Sequence, residues 1–148
     1  MRRLFIFLFL PAIAISCLEQ PDCINKKNDL VGITFKSMKT MADTTFVIDS
    51  VAAERIAVAF EVSEAAVGKI LLPLDYFNDT TFYILEINDT IHQFTLAYRA
   101  QPQFISEECG ERFLLNNLRV VEHSFDSVSI VGAQPGVDGN ASNIQIFR

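Results

Sequence analysis

From Leu30 onward, apolar residues tend to recur at every second position, and this spacing constrains the fold more than any other feature of the chain. In the segment 55–62 it places Ile56, Val58, Phe60 and Val62 on one face, with small or charged residues between them. A period of two matches the alternation of side chains across a half-buried β-strand. The chain is therefore predicted to be all-β.

The strongest local signal is a β-hairpin. An apolar run at 80–87 and an alternating run at 90–99 flank Asn88-Asp89, and both turn residues tolerate the positive φ that a two-residue turn requires. Pro73 is expected to end its strand or to lie on a sheet edge. The segment 133–140 contains too many turn residues to be anything but a loop. Further strands are predicted at 30–36, 45–49, 69–74, 112–122, 127–131 and 143–147.

Short strands at a spacing of about ten residues predict a sandwich or a small barrel. Of these we favour one antiparallel β-sandwich of about eight strands, with an immunoglobulin-like arrangement as one form and the strand order left open. Helical signals are limited to one-turn candidates at 50–55 and at 63–68, the latter with a Ser cap and a Gly stop. No second domain is predicted.

The N-terminus has the composition of an export signal. Two arginines precede a nearly unbroken apolar run from Leu4 to Ile15, and small residues then lead into Cys17. The run is shorter than the ~20 apolar residues of a membrane span. Residues 1–16 are therefore predicted to be a signal peptide. Ala12-Ile13-Ala14 offers a rival cleavage site, whose use would release a soluble periplasmic protein.

The residues that end in Cys17 are similar to the lipobox of bacterial lipoproteins, although Ala14 stands where Leu is commoner. The resemblance implies cleavage before Cys17 and a diacylglycerol on its sulfur. Residues 17–29 would then be the lipidated Cys and a polar tether, and residues 30–148 the β-sandwich domain. Stable anchoring takes more than one acyl chain, which a bacterial lipoprotein carries.

The residue after Cys17 bears on localisation. Leu18 is not the Asp that retains lipoproteins at the inner membrane, so the outer membrane is expected. Glu19 and Asp22 are too sparse to favour surface display, and the domain is therefore expected to face the periplasm, with the cell surface as the alternative.

The chain has three cysteines, an odd number. If Cys17 carries lipid, Cys23 and Cys109 remain as a pair in an oxidising compartment, and we predict a disulfide between them. Two unrelated buried thiols are the alternative. A bridge between positions so far apart would stabilise the fold by about 4 kcal/mol in the chain-entropy model, less any strain.

The formal net charge is −6 and becomes more negative when the signal leaves with its arginines. This balance argues against binding of nucleic acid or electrostatic docking on anionic lipid. No G-x-S-x-G elbow, phosphate-binding glycine motif or metal-ligand spacing is present, so no enzymatic activity, cofactor, metal or small-molecule substrate is predicted. A hydrolase, the remote alternative, would need Ser106 with His92 or His123 beside a carboxylate.

Asp followed by Ser or Thr precedes an aliphatic residue or Thr at five strand borders. The pattern is similar to the O-glycosylation signal of exported Bacteroidota proteins. Such pairs also favour turns before strands, which explains the same pattern without a glycan. The candidate acceptors are Thr44, Ser50, Thr80, Thr90 and Ser127.

A series of motifs runs through the chain in a distinctive order. Cys23 follows Cys17 closely, a strand ends in Pro73, the strand with Tyr98 leads into Phe104–Gly110 (FISEECG), Asn117-Leu118 comes next, and the chain ends in 143–147 (NIQIF). This order resembles an uncharacterised family of small Bacteroidota envelope lipoproteins, known only as a domain of unknown function. The resemblance implies no assigned activity and transfers no catalytic residue.

Together these features predict a non-enzymatic envelope lipoprotein that serves as a structural or protein-interaction module. An exposed surface or edge strand would contact an envelope protein. The alternative is a glycan-binding module on the same scaffold, which needs an exposed groove with two or more Tyr or Phe faces. The chain lacks Trp, and its thirteen Phe are better explained as core, so the alternative is the weaker expectation.

Overall fold

The computed structural model describes residues 30–56, 65–107, 109–135 and 142–148. Within these ranges the chain forms β-strands and no helix. The described residues therefore contain no helix that is long and apolar enough to cross a membrane. The eight strands are β1 (Leu30–Lys36), β2 (Ile48–Ala53), β3 (Lys69–Pro73), β4 (Thr80–Ile87), β5 (Thr90–Ser106), β6 (Gly110–His123), β7 (Ser127–Ile130) and β8 (Ile144–Phe147).

The strands form two four-stranded sheets, with the orders β3-β1-β8-β7 and β2-β4-β5-β6. The predicted β-sandwich of eight strands is confirmed. One pair departs from the predicted antiparallel pattern, because β1 and β8 are parallel, with Ile33 opposite Ile144. Side chains alternate in the same way in parallel and antiparallel pairs, so a period of two carries no information about strand direction.

The strand order is not that of immunoglobulin domains. Their first strand neighbours the second, and their sheets follow the orders ABED and CFG. In the described part of this chain β1 lies between β3 and β8 instead. Neighbours are chosen by contacts between distant segments, which the local pattern of each strand does not encode.

Alternating residues from both sheets build one core. Val31, Ile33 and Phe35 of β1 have no exposed surface, and the inward side chains of β4 and β5 face them across the sandwich. The rings of Tyr83 and Phe94 stack at 4.9 Å between centroids. Each fully buried side chain of this size contributes about 1.5–3 kcal/mol relative to exposure, which makes this alternation the main source of stability.

The predicted hairpin is confirmed as the connection between β4 and β5. Ile87 pairs with Thr90, and Asn88 and Asp89 have φ values of 49° and 58°. Two central residues with positive φ define a type I′ turn, whose twist matches that of the flanking strands. The backbone N–H of Asp89 also donates to the Asp49 carboxylate at 2.9 Å.

Two local predictions near β2 are wrong. The helical turn proposed for 50–55 is largely strand, because residues 50–53 pair with β4 and gain a ladder of hydrogen bonds that one isolated turn lacks. The strand proposed for 45–49 begins only at Ile48, and Phe46 forms an isolated bridge with Val67.

Several other predictions fall wholly or partly outside the described residues. These are the signal peptide, Cys17, the tether with Cys23, most of the strand at 55–62, the first part of the turn at 63–68 and most of the loop at 133–140. The described part of the turn, 65–68, is not helical.

β5 and β6 continue past the end of β4. The last pair of β4 with β5 is Thr80 with Ala97, whereas pairing of β5 with β6 continues to Ser106 opposite Gly110. Residues 99–106 and 110–116 thus form a two-stranded extension, here called the ribbon. Gly110 has φ 71° at its turn, in the left-handed region that favours glycine.

Candidate functional site: a groove at a β-bulge

The pairing of β5 with β6 is interrupted where the ribbon joins the sheet. Ala97 pairs with Arg119 and Arg99 with Asn116, so a single β5 residue faces two residues of β6. One of these two, Asn117, has φ 57°, a left-handed conformation that Asn tolerates better than most residues. Such a β-bulge bends the strand and redirects side chains, and bulges are frequent beside functional sites.

Neighbouring segments satisfy the backbone groups that the bulge releases from the ladder. The N–H of Tyr98 donates to the carbonyl oxygen of Asp79 at 2.9 Å, and the N–H of Leu118 donates to the carbonyl oxygen of Ala133 at 2.8 Å. The first of these bonds ties the bulge to the connection between β3 and β4, residues 74–79, here called the aromatic loop.

Asp75 fixes the conformation of the aromatic loop. Its side chain is buried, its Oδ1 accepts from the N–H of Phe77 at 3.0 Å, and its Oδ2 accepts from the Asn78 amide at 2.7 Å. Arg55 Nε lies 3.9 Å from Oδ2. A buried carboxylate with these partners holds the loop in one geometry, because releasing any partner leaves a buried polar group unpaired.

The Tyr98 hydroxyl anchors the same loop from β5. It donates to the carbonyl oxygen of Asp75 at 2.7 Å and lies 2.5 Å from Thr81 Oγ1. Burial raises the pKa of Tyr98 above its ordinary value, although its hydrogen bonds to Thr81 and Asp75 oppose the shift. The phenol therefore stays protonated and available as a donor over the physiological pH range.

This rigid loop presents aromatic side chains to solvent. The Tyr76 ring stacks on that of Phe113 from β6 at 5.2 Å, and the Phe77 ring lies 4.4 Å from that of Tyr76. Phe77 is 79% exposed and Tyr76 39% exposed. Tyr76, Phe77 and Phe113 are called the aromatic shelf below. Contiguous exposed apolar surface of this kind marks binding sites on soluble domains.

A groove of about 680 Å³ runs between the aromatic loop and the bulge. Its volume lies within the ~300–1,000 Å³ that is typical of small-molecule sites. Most of its wall is polar, with two aromatic rings at one side. It is lined by Tyr76, Phe77, Asn78, Asp79, Tyr98, Arg99, Ala100, Asn117 and Arg119.

Two arginine side chains, those of Arg99 and Arg119, line this groove. The side chains of Arg99 and Arg119 are exposed, and in the described ranges neither makes an ion pair or a side-chain hydrogen bond. By contrast, the Arg112 guanidinium on the ribbon donates to Gln103 Oε1 at 2.9 and 3.1 Å. The groove therefore contains two arginines and one carboxylate, Asp79, and its lining carries a net positive charge.

Cys109 lies in the turn of the ribbon. It is half-buried, and its N–H donates to Ser106 Oγ at 3.1 Å. Cys17 and Cys23 lie outside the described residues, so the disulfide between Cys23 and Cys109 stays a prediction.

The residues weighed for a hydrolase are not brought together. Ser106 ends β5, whereas His92 lies near its start, roughly 45 Å away at ~3.3 Å per residue. His123 pairs with Phe94 at that same distant end of the sheet, and its Nδ1 lies 3.1 Å from the carbonyl oxygen of Phe125. A nucleophile and its base must lie within hydrogen-bond reach, which these positions exclude for Ser106.

His92 lies in an apolar setting. Its ring stacks on Phe125 at 4.5 Å, and both ring nitrogens are buried. Burial lowers the pKa of His92 below its ordinary value, and the Arg148 cation adds to that effect, while Ser124 and Asp126 oppose it. The described residues also contain no group of three or more His, Cys, Asp or Glu placed to hold a metal.

The candidate glycosylation residues differ in accessibility. Ser50 and Thr90 are exposed, whereas Thr44, Thr80 and Ser127 are partly buried. The Ser50 hydroxyl donates to the Glu86 carboxylate at 3.0 Å. Attachment of a glycan at any of the five stays a prediction.

Sequence reasoning missed the groove because it assigned the Phe residues to the core. A signal was present, since Tyr76 and Phe77 are adjacent and thus violate the period of two. They also stand between the polar turn residues Asp75 and Asn78. Two aromatic residues inside a turn, rather than in an alternating run, have no strand face on which to be buried together.

Comparison with known protein families finds a match over about two thirds of the chain. The model of a family of unknown function (DUF6452) matches residues 51–148, a segment that includes the aromatic loop, the bulge and the ribbon. No curated protein and no solved structure matches the chain.

Proposed function

The chain belongs to this family of unknown function, DUF6452, and we propose that it is a non-enzymatic envelope lipoprotein of a Bacteroidota-type cell that binds another envelope protein. In this proposal the signal is cleaved before Cys17 and acyl chains on that residue hold the domain to the outer membrane. The domain faces the periplasm, with the cell surface as the alternative.

The aromatic shelf carries this proposal. Phe77 exposes an aromatic ring from a loop whose conformation is already held by the buried Asp75. Aromatic side chains supply much of the energy at protein interfaces, and a preorganised one loses little conformational entropy on binding. A docking partner would cover the shelf and remove its apolar surface from water.

Site-specific photo-crosslinking in cells tests the docking surface. A photoreactive phenylalanine at position 77 is expected to give a discrete adduct with one envelope protein. The matched control is the same group at Ile91, which is 64% exposed and lies near the start of β5. Identical adducts at both positions, or none at position 77, would contradict docking at the shelf.

The anchor is tested separately. Labelled palmitate should enter the wild-type protein and a Cys23→Ser variant but not a Cys17→Ser variant, which should leave the membrane fraction. A mature chain that begins at any residue other than Cys17 would refute the anchor. Cleavage after Ala14 would instead give the soluble periplasmic form.

We further propose that Cys23 is the partner of Cys109. The cysteine count supports this pairing, since acylation of Cys17 would leave Cys23 as the remaining partner for Cys109. Mass spectrometry without reduction should find both cysteines in one linked peptide. Free thiols at Cys23 and Cys109 in protein from the native envelope would overturn the pairing.

For O-glycosylation the exposed Thr90 and Ser50 are the best acceptors of the five. Intact-mass measurement of protein from its native host should show a glycan that Thr90→Ala or Ser50→Ala reduces. An intact mass equal to that of the bare acylated chain would remove this modification.

Glycan binding is the second candidate function, and the groove favours it. Tyr76 and Phe77 give the groove two exposed aromatic side chains, which the sequence argument set as its requirement. A glycan array with the full chain should show binding that Tyr76→Ala weakens. A flat array would count against this candidate and leave the docking proposal intact.

A further inference from the structure

We propose that the groove at the β-bulge binds a saccharide that bears a carboxylate, such as a uronic acid unit. The inference rests on the second candidate function, glycan binding, and names its ligand class. It does not require a protein partner on the aromatic shelf.

The charge comes from Arg99 and Arg119. Their strand positions, one on each side of the bulge, bring both side chains into the same groove. A guanidinium matches a carboxylate in bidentate geometry. An incoming carboxylate would supply the ion pair that both cations lack among the described residues.

The shape comes from the aromatic side of the groove. Tyr76 and Phe77 contribute aromatic rings to the wall of the groove, and the Tyr76 ring stacks on that of Phe113. An aromatic ring combines an apolar body with a fixed plane, and Tyr adds a polar tip. The apolar face of a sugar ring fits such a wall.

The remaining lining groups suit hydroxyls. Asp79 accepts hydrogen bonds, and Asn117 both donates and accepts them. Asp79 also discriminates, since its negative charge would repel a second carboxylate close to the first. A densely charged acidic peptide is therefore a poorer ligand than a saccharide with one carboxylate and several hydroxyls on each ring.

Calorimetric titration of the full acylated chain in detergent micelles tests the proposal. The acidic probes are trigalacturonate and a hyaluronan tetrasaccharide, the neutral probe is trigalactose, and the peptide probe is hexaglutamate. At least one acidic saccharide should bind, and trigalactose and hexaglutamate should each bind at least about 10-fold more weakly, because charge-assisted contacts are the strong ones.

Variants locate the site. Arg99→Gln combined with Arg119→Gln should weaken binding of the acidic saccharide by at least about 10-fold. The matched control is Arg112→Gln, since Arg112 lies on the ribbon outside the groove and is bonded to Gln103. It should leave binding unchanged. Unaltered melting temperatures would show that these exposed substitutions preserve the fold.

Several outcomes would overturn the proposal. These are absent binding of both acidic saccharides, equal binding of trigalactose, equal or tighter binding of hexaglutamate, and equal effects of the groove variant and the Arg112 control. Crosslinking at Phe77 tests a different claim, so its failure together with retained saccharide binding would remove the docking proposal alone.

Discussion

The β5–β6 hairpin has two parts, the sandwich part and the ribbon, which differ in how deeply their side chains are buried. In the sandwich part, Phe94 and Leu96 are 1% and 0% exposed, whereas Phe104 in the ribbon is 63% exposed. The difference lies in what covers each part: β4 and the opposite sheet cover the first, and the ribbon lies beyond the last pair of β4. The same hairpin therefore buries Phe94 and Leu96 in the sandwich and leaves Phe104 exposed on the ribbon, although Leu115 of the ribbon still belongs to the core.

The largest expected effect comes from comparing one substitution in the sandwich part with one in the ribbon. Phe94→Ala should lower the free energy of unfolding by about 3–5 kcal/mol, because it leaves a cavity beside Tyr83 and Phe125. Phe104→Ala should change it by less than about 0.5 kcal/mol. Urea denaturation of both variants measures the difference. Equal losses would mean that the Phe104 side chain is packed as tightly as that of Phe94.

The second prediction concerns what holds the ribbon. An isolated two-stranded hairpin is marginal in water, and Cys109 lies at its tip. Cys109→Ser should lower the free energy of unfolding by about 2–4 kcal/mol, and Cys23→Ser should lower it equally. The double variant should lose no more than either single one. Cys17→Ser is the control and should unfold like the wild type; additive losses would refute the shared bridge.

The third prediction compares two carboxylates of the aromatic loop. Asp75→Ala should lower the free energy of unfolding by about 1–3 kcal/mol, because the N–H of Phe77 and the Asn78 amide lose their acceptor. Asp79→Ala should change it by less than about 0.5 kcal/mol, since that side chain is exposed. Thermal unfolding of the two variants checks whether the buried Asp75 carboxylate, rather than the exposed Asp79 carboxylate, stabilises the aromatic loop.

The smallest expected effect is a pH dependence in the sandwich part. Because the folded-state pKa of His92 is lowered mainly by burial, the unfolded chain binds a proton more readily. The contribution of neutral His92 to the free energy of unfolding is complete above the pKa of the unfolded chain, ~6.5, and is lost as the pH falls through the folded-state pKa. His92→Phe should reduce this loss in denaturation measured from pH 8 to pH 5. An unchanged pH profile would contradict this account of His92.

Much of the local structure was predictable because its causes are local. The span of β1 follows from its alternating residues, and the type I′ turn follows from Asn88-Asp89, whose side chains tolerate positive φ. The predicted helical turn at 50–55 was wrong because pairing with β4 outweighed a weak capping signal. Propensity over a few residues gives way when a neighbouring strand supplies hydrogen bonds.

The candidate groove was not predictable in the same way. Arg99, Asn117 and Tyr76 are distant in sequence, and their convergence depends on the register of β5 with β6 and on the bond from Tyr98 to Asp79. A bulge shifts that register by one residue and changes which side chains share a face. Neither composition nor spacing reveals where such a shift occurs.

The amino-acid sequence by itself determined that this protein would be built of strands, where most of them run and how one hairpin turns, because side-chain alternation and turn chemistry act within a few residues. Only the tertiary structure decided the parallel contact of β1 with β8, the exposure of the aromatic shelf and the meeting of Arg99 and Arg119 in the groove at the bulge. These features arise from packing between segments far apart in the chain, where the choice of neighbour, rather than the residue type, decides which apolar and charged groups remain open to solvent.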